Sequence, residues 1–382
     1  MKKHIHIVSF DIPFPADYGG VIDIYHKMRW LQQLGMHITL HCFQYGRAEA
    51  PELNNLCKKV YYYKRSKYKN PFIGDIPYIV LTRSNEELLD NLCKDNHPII
   101  FEGLHTTFFL QHEKLKNRIK LIRNHNIEHD YYKNLELVES NYFKKYFFRN
   151  ESDNLKKYEK IIKSATHVLA ISPSDQQYLN KKYHNSILLP AFHANDDINI
   201  KTGNGKFILY HGNLVVGENH YAAMYLVKEV FSKIRIPCVI AGSHPHEELI
   251  KACQKHSHIK LIDNWDQGQI MNAVEQAHIN VLPTFQGTGI KLKLLNALFS
   301  GRFCIVNPTM VNHTGLEQAC IVTEHATEMI QQINLYWQEA FTETHIEERR
   351  KVLNHSLFNN KKNALDLLKI LGIVPETERI IR

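Results

Sequence analysis

Short apolar runs alternate with longer amphipathic stretches along almost the whole chain. Runs of three to five apolar residues are typical of strands buried in a parallel sheet, and apolar residues every three or four positions are typical of helices that cover it. The first series predicts strands at residues 5–8, 38–41, 60–63, 99–101, 121–123, 168–171 and 187–189. A helix predicted at 21–34 ends before Gly35. This series indicates one doubly wound α/β domain.

A second series follows the polar, turn-rich segment 191–205, where we place the linker. It predicts strands at 207–210, 238–241, 259–262, 279–282 and 303–306, and helices at 221–231, 269–276 and 292–299. We therefore predict two Rossmann-like domains, residues 1–195 and 196–345, and a helical tail at 346–382. Whether this tail crosses back to the N-terminal domain stays open at this point.

Composition fits two globular cores, because 44% of the 382 residues are hydrophobic and 23% are charged. The seven cysteines are odd in number and scattered, which argues against a disulfide framework and a zinc site and favours a reducing compartment. The first ten residues are too short and too interrupted by histidine for a signal peptide, and no later run is long enough to span a bilayer. We expect a cytoplasmic protein, either soluble or peripheral at the inner face of the membrane.

The formal charge of +8 favours anionic partners, but no nucleic-acid-binding signature is visible. We expect nucleotides or phosphorylated lipids and no nucleic acid. Two basic and aromatic stretches, residues 61–69 and 141–149, suit an anionic membrane surface. The alternative is that the second stretch packs its aromatic rings on the core and leaves its lysines in solvent. The rings concerned are Tyr142, Phe143, Tyr146 and Phe147.

Candidate functional residues follow predicted strands. Gly19 and Gly20 come after the first strand, and Glu102, His105 and His125 come after the fourth and fifth. Because the carboxyl ends of parallel strands share one edge, we expect the segments 11–20, 124–129, 211–213 and 242–243 on one rim, lining a cleft between the two domains.

Residues 279–301 join an apolar strand, a glycine loop, two lysines and a helix. Gly287 and Gly289 let the backbone approach an anion, the helix start offers unpaired N–H groups, and Lys291 adds a full charge. This unit is suited to hold a diphosphate. The alternative is an ordinary turn with solvated lysines.

The chain resembles a GT-B fold glycosyltransferase of the mostly retaining family 4. Three segments carry the resemblance: the glycine loop at 15–20, the helix and strand at 161–172, and the turn and helix at 289–298. The resemblance implies two Rossmann-like doubly wound parallel-sheet domains facing a cleft. It also implies that the N-terminal domain binds the acceptor, that the C-terminal domain binds a nucleotide-sugar donor, and that the anomeric configuration is retained.

The resemblance also implies individual roles. Gly19 and Gly20 approach the donor diphosphate, His125 faces the donor sugar, and Lys291 pairs with phosphate. The donor-binding candidates are Gly19, Gly20, Gly212, Asn213, Gly287, Thr288, Gly289, Ile290 and Asn296. The catalytic candidates are His125 and Lys291, and further candidates for substrate contact are Glu102, His105 and Lys293.

The chain departs from the family pattern in its acidic residues. Many members carry a glutamate pair around the donor turn, where this chain has Gln286 and Asn296. A neutral amide binds a ribose hydroxyl less strongly than a carboxylate does, so we expect weaker donor affinity. No Asp-x-Asp triplet occurs, so we expect no metal site and no cofactor, with the nucleotide sugar acting as a co-substrate.

The sequence therefore predicts a metal-independent hexosyltransferase that acts on a glycan or lipid-linked acceptor in surface polysaccharide or glycolipid assembly, with GDP-mannose as the favoured donor. Two alternatives stay open: a sugar-nucleotide 2-epimerase of similar shape, and a non-catalytic sugar-nucleotide-binding protein. A dehydrogenase is disfavoured, because residues 10–15 follow the first strand where a G-x-G-x-x-G loop would be required.

Overall fold

The computed structural model describes residues 3–66, 75–139, 141–285, 292–312 and 314–373. These residues form two compact units. The first contains residues 3–193 and 360–373, and the second contains residues 194–359.

The first unit is built on a sheet of seven parallel strands in the order β3-β2-β1-β4-β5-β6-β7. The strands are β1 His4–Ser9, β2 His37–Gln44, β3 Lys59–Lys64, β4 Ile99–Glu102, β5 Lys120–Asn124, β6 His167–Ala170 and β7 Ser186–Leu188. The helices are α1 Gly19–Gln33, α2 Tyr78–Leu81, α3 Glu86–Leu92, α4 Glu128–Val138, α5 Tyr142–Tyr158 and α6 Pro173–Tyr183. Apolar clusters cover both faces of the sheet, which explains why most strands read as continuous hydrophobic runs.

The second unit has six parallel strands in the order β10-β9-β8-β11-β12-β13. They are β8 Ile208–His211, β9 Cys238–Ala241, β10 Ile259–Ile262, β11 Ile279–Val281, β12 Phe303–Val306 and β13 Ile321–Val322. The helices are α7 Gly217–Tyr225, α8 Glu247–Gln254, α9 Gln267–Gln276, α10 Leu292–Ser300, α11 Pro308–Val311, α12 Ala326–Trp337 and α13 Glu343–His355. The prediction of two doubly wound parallel-sheet domains is confirmed.

The connection between the units differs from the predicted polar linker. The N-terminal segment of the first unit extends to His193, and residues 191–193 are buried within this unit. Phe192 donates its backbone N–H to the Asp23 carboxylate (2.8 Å). The beginning of the predicted linker is therefore held inside the first unit because its backbone is hydrogen-bonded there.

The last helix, α14 (Asn360–Ile370), packs against α1 of the first unit. Its side chains Leu367 and Leu368 join the core on that face of the sheet. Residues 346–359, which the sequence analysis assigned to the tail, belong instead to the second unit, where Leu353 and Phe358 are buried.

Buried polar side chains interrupt the apolar pattern of β1 and β2. His6 bonds both to His41 (2.9 Å) and to the carboxylate of Asp95 (2.9 Å), and His41 bonds to the hydroxyl of Tyr63 (2.8 Å). Burial lowers the pKa of both imidazoles. The chain thus satisfies these polar groups with one another, and the histidines are neutral at pH 7.

Candidate functional site

The loops after β1, β4 and β5 bring together several candidates of the first unit. The ring of Phe10 lies 5.3 Å from that of His105 and meets the ring of His125 edge-on at 5.4 Å. A Cβ on Gly20 would lie 2.6 Å from the Phe10 ring, whereas Gly19 has nothing within 4 Å of such a position. Gly20 is therefore needed for packing against Phe10, while Gly19 leaves the first turn of α1 open. Their predicted approach to a diphosphate stays a prediction.

Gly103 turns the chain between β4 and His105. It has φ +68°, and a Cβ there would lie 2.7 Å from Nδ1 of His105. This conformation and this close approach both require glycine. Sequence reasoning did not single out Gly103, although a glycine directly after a buried strand is a signal of such a turn.

Glu128 is a candidate that sequence reasoning missed. It begins α4, is buried, and places its Oε1 atom 3.8 Å from Nδ1 of His105. Burial raises the pKa of Glu128 to about 8, although Arg83 opposes this shift. Burial likewise lowers the pKa of His105 well below its ordinary value, with Arg83 and His125 adding to the effect. Both groups are therefore predominantly neutral at pH 7, which suits binding of hydroxyl groups.

His125 lies beside a buried ionic network. Its Nε2 atom lies 3.0 Å from Oε2 of Glu102, and the other carboxylate oxygen, Oε1, forms an ion pair with Nζ of Lys27 at 2.7 Å. Lys27 also bonds Asp23 (3.2 Å), and Asp23 receives two further bonds from Arg123 (2.9 and 2.7 Å). Burial would raise the pKa of Asp23, but the two cations outweigh it and hold that pKa well below its usual range.

Asp23, Glu102 and His125 offer oxygen and nitrogen atoms within 4.8 Å of one another, a spacing compatible with a metal ion. Lys27 reaches both carboxylates from within this group, and Arg123 pairs with one of them. The two negative charges are thus balanced by side chains of the protein. Glu102 is fully buried, so it lies behind His125 and not at an open surface.

In the second unit, Gly212 and Asn213 follow β8, and Asn213 begins a turn in which its carbonyl accepts from the backbone N–H of Val216 (3.1 Å). The Asn219 side chain donates to the carbonyl of Asn213 (2.9 Å). A Cβ on Gly242, which follows β9, would lie 2.0 Å from the carbonyl oxygen of Gly212, so the two loops pack backbone to backbone. Lys293 donates to Oδ1 of Asn219 (3.0 Å). This contact brings positive charge to the turn at the carboxyl end of β8.

The remaining donor candidates are only partly described. Asn296 on α10 accepts from the side-chain amide of Asn195 (2.9 Å). Gly287, Thr288, Gly289, Ile290 and Lys291 lie outside the described residues, as does Gln286. Their predicted roles stay predictions.

The helical pair α4 and α5 presents aromatic and basic side chains to solvent. Tyr142 and Phe143 are each 87% exposed, and Lys144 is exposed beside them. These two rings therefore do not pack on the core, whereas Phe147 contacts Tyr78. The other basic-aromatic stretch forms much of β3, with Tyr63 buried, and its residues 67–69 lie outside the described ones. Among the described helices, none combines the length and apolar composition needed to cross a bilayer.

Two doubly wound parallel sheets in one chain, each with polar loops at the carboxyl ends of its strands, define the GT-B class of fold. Residues 205–339 match the family model described as Glycosyl transferases group 1. The resemblance predicted from the motifs is thereby confirmed for the fold and for this family match. Retention and membership of family 4 stay predictions.

Individual proteins agree with this class. An uncharacterized 44.6 kDa protein in the cps region of Klebsiella pneumoniae is 27% identical over 321 residues, which are 79% of this chain and 82% of that one. Sucrose-phosphate synthase from Thermosynechococcus elongatus superposes with a TM-score of 0.71 at 14% identity, over 97% of this chain and 98% of its own. The structure described as trehalose-6-phosphate from E. coli bound with UDP-2-fluoro glucose superposes with a TM-score of 0.63 at 8% identity, over 97% of this chain and 100% of its own. The two solved structures show that this chain shares their fold.

Proposed function

We propose that the protein is a glycosyltransferase that moves a sugar from a nucleotide-diphosphate donor to a glycan or lipid-linked acceptor. The match of residues 205–339 to the group 1 glycosyltransferases, on a chain with the GT-B fold, is the observation that carries the reaction type. The relative from a cps region, a capsule polysaccharide region, supports a role in assembly of a surface polysaccharide or glycolipid.

The second unit binds the donor in this proposal. The glycine loop and the start of α10 receive the diphosphate, and Lys291 neutralises the charge that develops on the leaving nucleoside diphosphate. Lys293 brings a second positive charge to the turn after β8, where it bonds Asn219 (3.0 Å). GDP-mannose is the first donor to test. The E. coli neighbour with a bound UDP-sugar supports a nucleotide sugar in general.

The first unit binds the sugar that is transferred and the acceptor hydroxyl. His105, His125 and Glu128 lie at the ends of β4 and β5, and His105 and Glu128 are predominantly neutral at pH 7. Neutral imidazole and carboxyl groups can both donate and accept hydrogen bonds, which is the chemistry that sugar hydroxyls require. We propose retention at the anomeric carbon, which NMR of the product tests directly.

A donor panel tests the reaction. The purified protein is mixed with UDP-, GDP- and ADP-sugars, and thermal stability and release of the nucleoside diphosphate are measured with and without a lipid-linked glycan acceptor. A donor present at 100 times its dissociation constant stabilises the protein by about 2.7 kcal/mol. We expect acceptor-dependent release. Donor turnover without any acceptor would indicate an epimerase, and binding without turnover would indicate a non-catalytic protein.

Activity is expected to survive chelation. In the first unit, Lys27 and Arg123 balance the two carboxylates of the only such ligand group found among the described residues. The donor charge is met in this proposal by Lys291 and by backbone N–H groups. Complete loss of transfer in EDTA, with recovery on addition of magnesium or manganese, would contradict metal independence.

We also propose that the first unit binds the inner face of the membrane through the start of α5. Tyr142 and Phe143 are exposed rings of the kind that sit at headgroup level, and Lys144 and Lys145 supply charge for anionic lipid. Each lysine close to such a surface contributes about 1 kcal/mol. The two together therefore change the partition coefficient by roughly 30-fold.

Flotation with vesicles of phosphatidylglycerol and phosphatidylcholine tests this surface. Lys144→Gln with Lys145→Gln should weaken binding, and Tyr142→Ser with Phe143→Ser should weaken it further. The matched control is Lys228→Gln with Lys233→Gln, which removes two exposed lysines of the second unit. Equal loss in the control, or no loss in either α5 variant, would contradict the assignment.

A further inference from the structure

Four buried side chains, Asp23, Lys27, Glu102 and His125, contact one another in this order. Asp23 and Lys27 lie on α1, Glu102 ends β4, and His125 follows β5. The links are Asp23 to Lys27 (3.2 Å), Lys27 to Glu102 (2.7 Å) and Glu102 to His125 (3.0 Å). Three separate elements of the fold therefore meet at one imidazole.

The contacts of Glu102 limit where the proton of its bond to His125 can lie. Lys27 is fully buried, and its Nζ atom lies 2.7 Å from Oε1 of Glu102, so the two side chains form an ion pair. An ionised Glu102 also accepts through its second oxygen, and Nε2 of His125 must then carry the proton of that bond. A neutral imidazole that donates through Nε2 has no second proton, so its Nδ1 atom is a bare acceptor.

The described neighbours of His125 do not use its Nδ1 atom, so this atom can accept a hydrogen bond from a ligand. His125 bonds to Glu102 through Nε2, and it interacts by charge with Asp23 and His105. Phe10 meets the imidazole edge-on. No hydrogen bond to Nδ1 of His125 is formed among the described residues.

We propose that Lys27 and Glu102 are positioning residues that hold His125 with its proton on Nε2, so that Nδ1 accepts a hydrogen bond from a hydroxyl of the sugar substrate. This inference rests on the proposed glycosyltransferase function. The sequence analysis predicted that Glu102 contacts substrate directly. In this proposal Glu102 instead affects the substrate by orienting His125. Nζ of Lys27 lies 2.7 Å from Oε1 of Glu102 and supplies the opposite charge that a buried carboxylate requires.

The tautomer can be measured in the wild-type protein. Nitrogen NMR of protein labelled at histidine distinguishes a protonated from a bare ring nitrogen, and the His125 signal is assigned by its loss in His125→Gln. We expect the proton on Nε2 and a bare Nδ1 at pH 7 to 8. A proton on Nδ1 would overturn the proposal whatever the activity of the protein.

Glu102→Gln then tests the function of the link. A glutamine amide can donate to Nε2 and so move the imidazole proton to Nδ1. We expect kcat/KM for transfer to fall by about 10- to 150-fold, which corresponds to the loss of one hydrogen bond that involves a charged group. The nitrogen spectrum should change at the same time, and Lys27→Met should show the same loss with a shifted pH profile.

The control is Glu151→Gln, which alters another fully buried carboxylate of the first unit. Glu151 accepts from the backbone N–H groups of Tyr78 (2.9 Å) and Ile79 (2.8 Å), away from His125. It should lower stability and leave the His125 spectrum unchanged. If the wild-type protein transfers sugar and folded Glu102→Gln does so at the same rate, the positioning role is wrong. If the wild type transfers no sugar, the proposed function fails, and the NMR result still decides the tautomer.

Discussion

For Glu128→Gln, the structure predicts clearly how the effect on the free energy of unfolding changes with pH. Burial raises the pKa of Glu128 from its ordinary 4.5 to about 8. The folded protein therefore holds the proton at pH 7, whereas the unfolded chain releases it. Because the folded pKa is the higher one, the stability tied to this proton is complete below about pH 4.5 and is lost as the pH rises through about 8.

The size of the effect follows from the two pKa values. Ionisation of Glu128 in the unfolded chain lowers the free energy of unfolding by about 1 kcal/mol at pH 5.5 and by about 4 to 5 kcal/mol at pH 8.5. Glutamine has the shape of the protonated acid and cannot ionise. Glu128→Gln should therefore become more stable relative to wild type as the pH rises, by about 3 kcal/mol over this range.

Urea unfolding of the first unit measures this difference. Trp30 is the tryptophan of that unit, so a background with Trp265→Phe and Trp337→Phe makes fluorescence report on it. The control is Glu113→Gln, which makes the same change at an exposed carboxylate of the first unit. A difference between Glu128→Gln and wild type that stays constant from pH 5.5 to 8.5 would refute the raised pKa. Loss of transfer activity in the more stable variant would place Glu128 in the functional site.

Three further outcomes are expected. Lys291→Ala should lower kcat/KM by roughly 30- to 1,000-fold, equal to about 2–4 kcal/mol of transition-state stabilisation, and Lys293→Ala far less; equal losses in two folded variants would contradict the assigned diphosphate contact. Asn296→Glu should keep or raise donor affinity in calorimetry, and abolished binding would place Asn296 elsewhere. Since His6 and His41 have lowered pKa values, the first unit should lose stability as the pH falls below about 6.5, and an acid-independent melting temperature would contradict this.

Much of the fold could be predicted because each element is encoded locally. The run at residues 5–8 lies within β1, and the helix predicted at 21–34 is α1, which ends one residue earlier, at Gln33. Both follow from the spacing of apolar residues over a few turns or strand positions. The short strand β13 (Ile321–Val322) was not predicted, because two residues are too few to show a periodic pattern.

The candidate site could be predicted only as a set of residues that follow strands. Glu102 and His125 were both chosen for that reason, but no local pattern indicated that they bond each other. Lys27 was not chosen at all. On an amphipathic helix a lysine is usually solvated, and only the packing of α1 against β4 buries this one. Contacts between residues 75 positions apart along the chain depend on tertiary structure and are invisible to periodicity.

The buried network of the first unit is better explained by function than by stability. Asp23, Lys27, Glu102 and Arg123 carry four charges that sum to zero, and removing them from water costs several kcal/mol each. Apolar residues of similar volume would often be neutral or stabilising there. What apolar residues could not do is hold the His125 proton on one chosen nitrogen. The same argument applies to Glu128. Its buried carboxyl lowers the free energy of unfolding at neutral pH, and it places a hydrogen-bonding group beside His105.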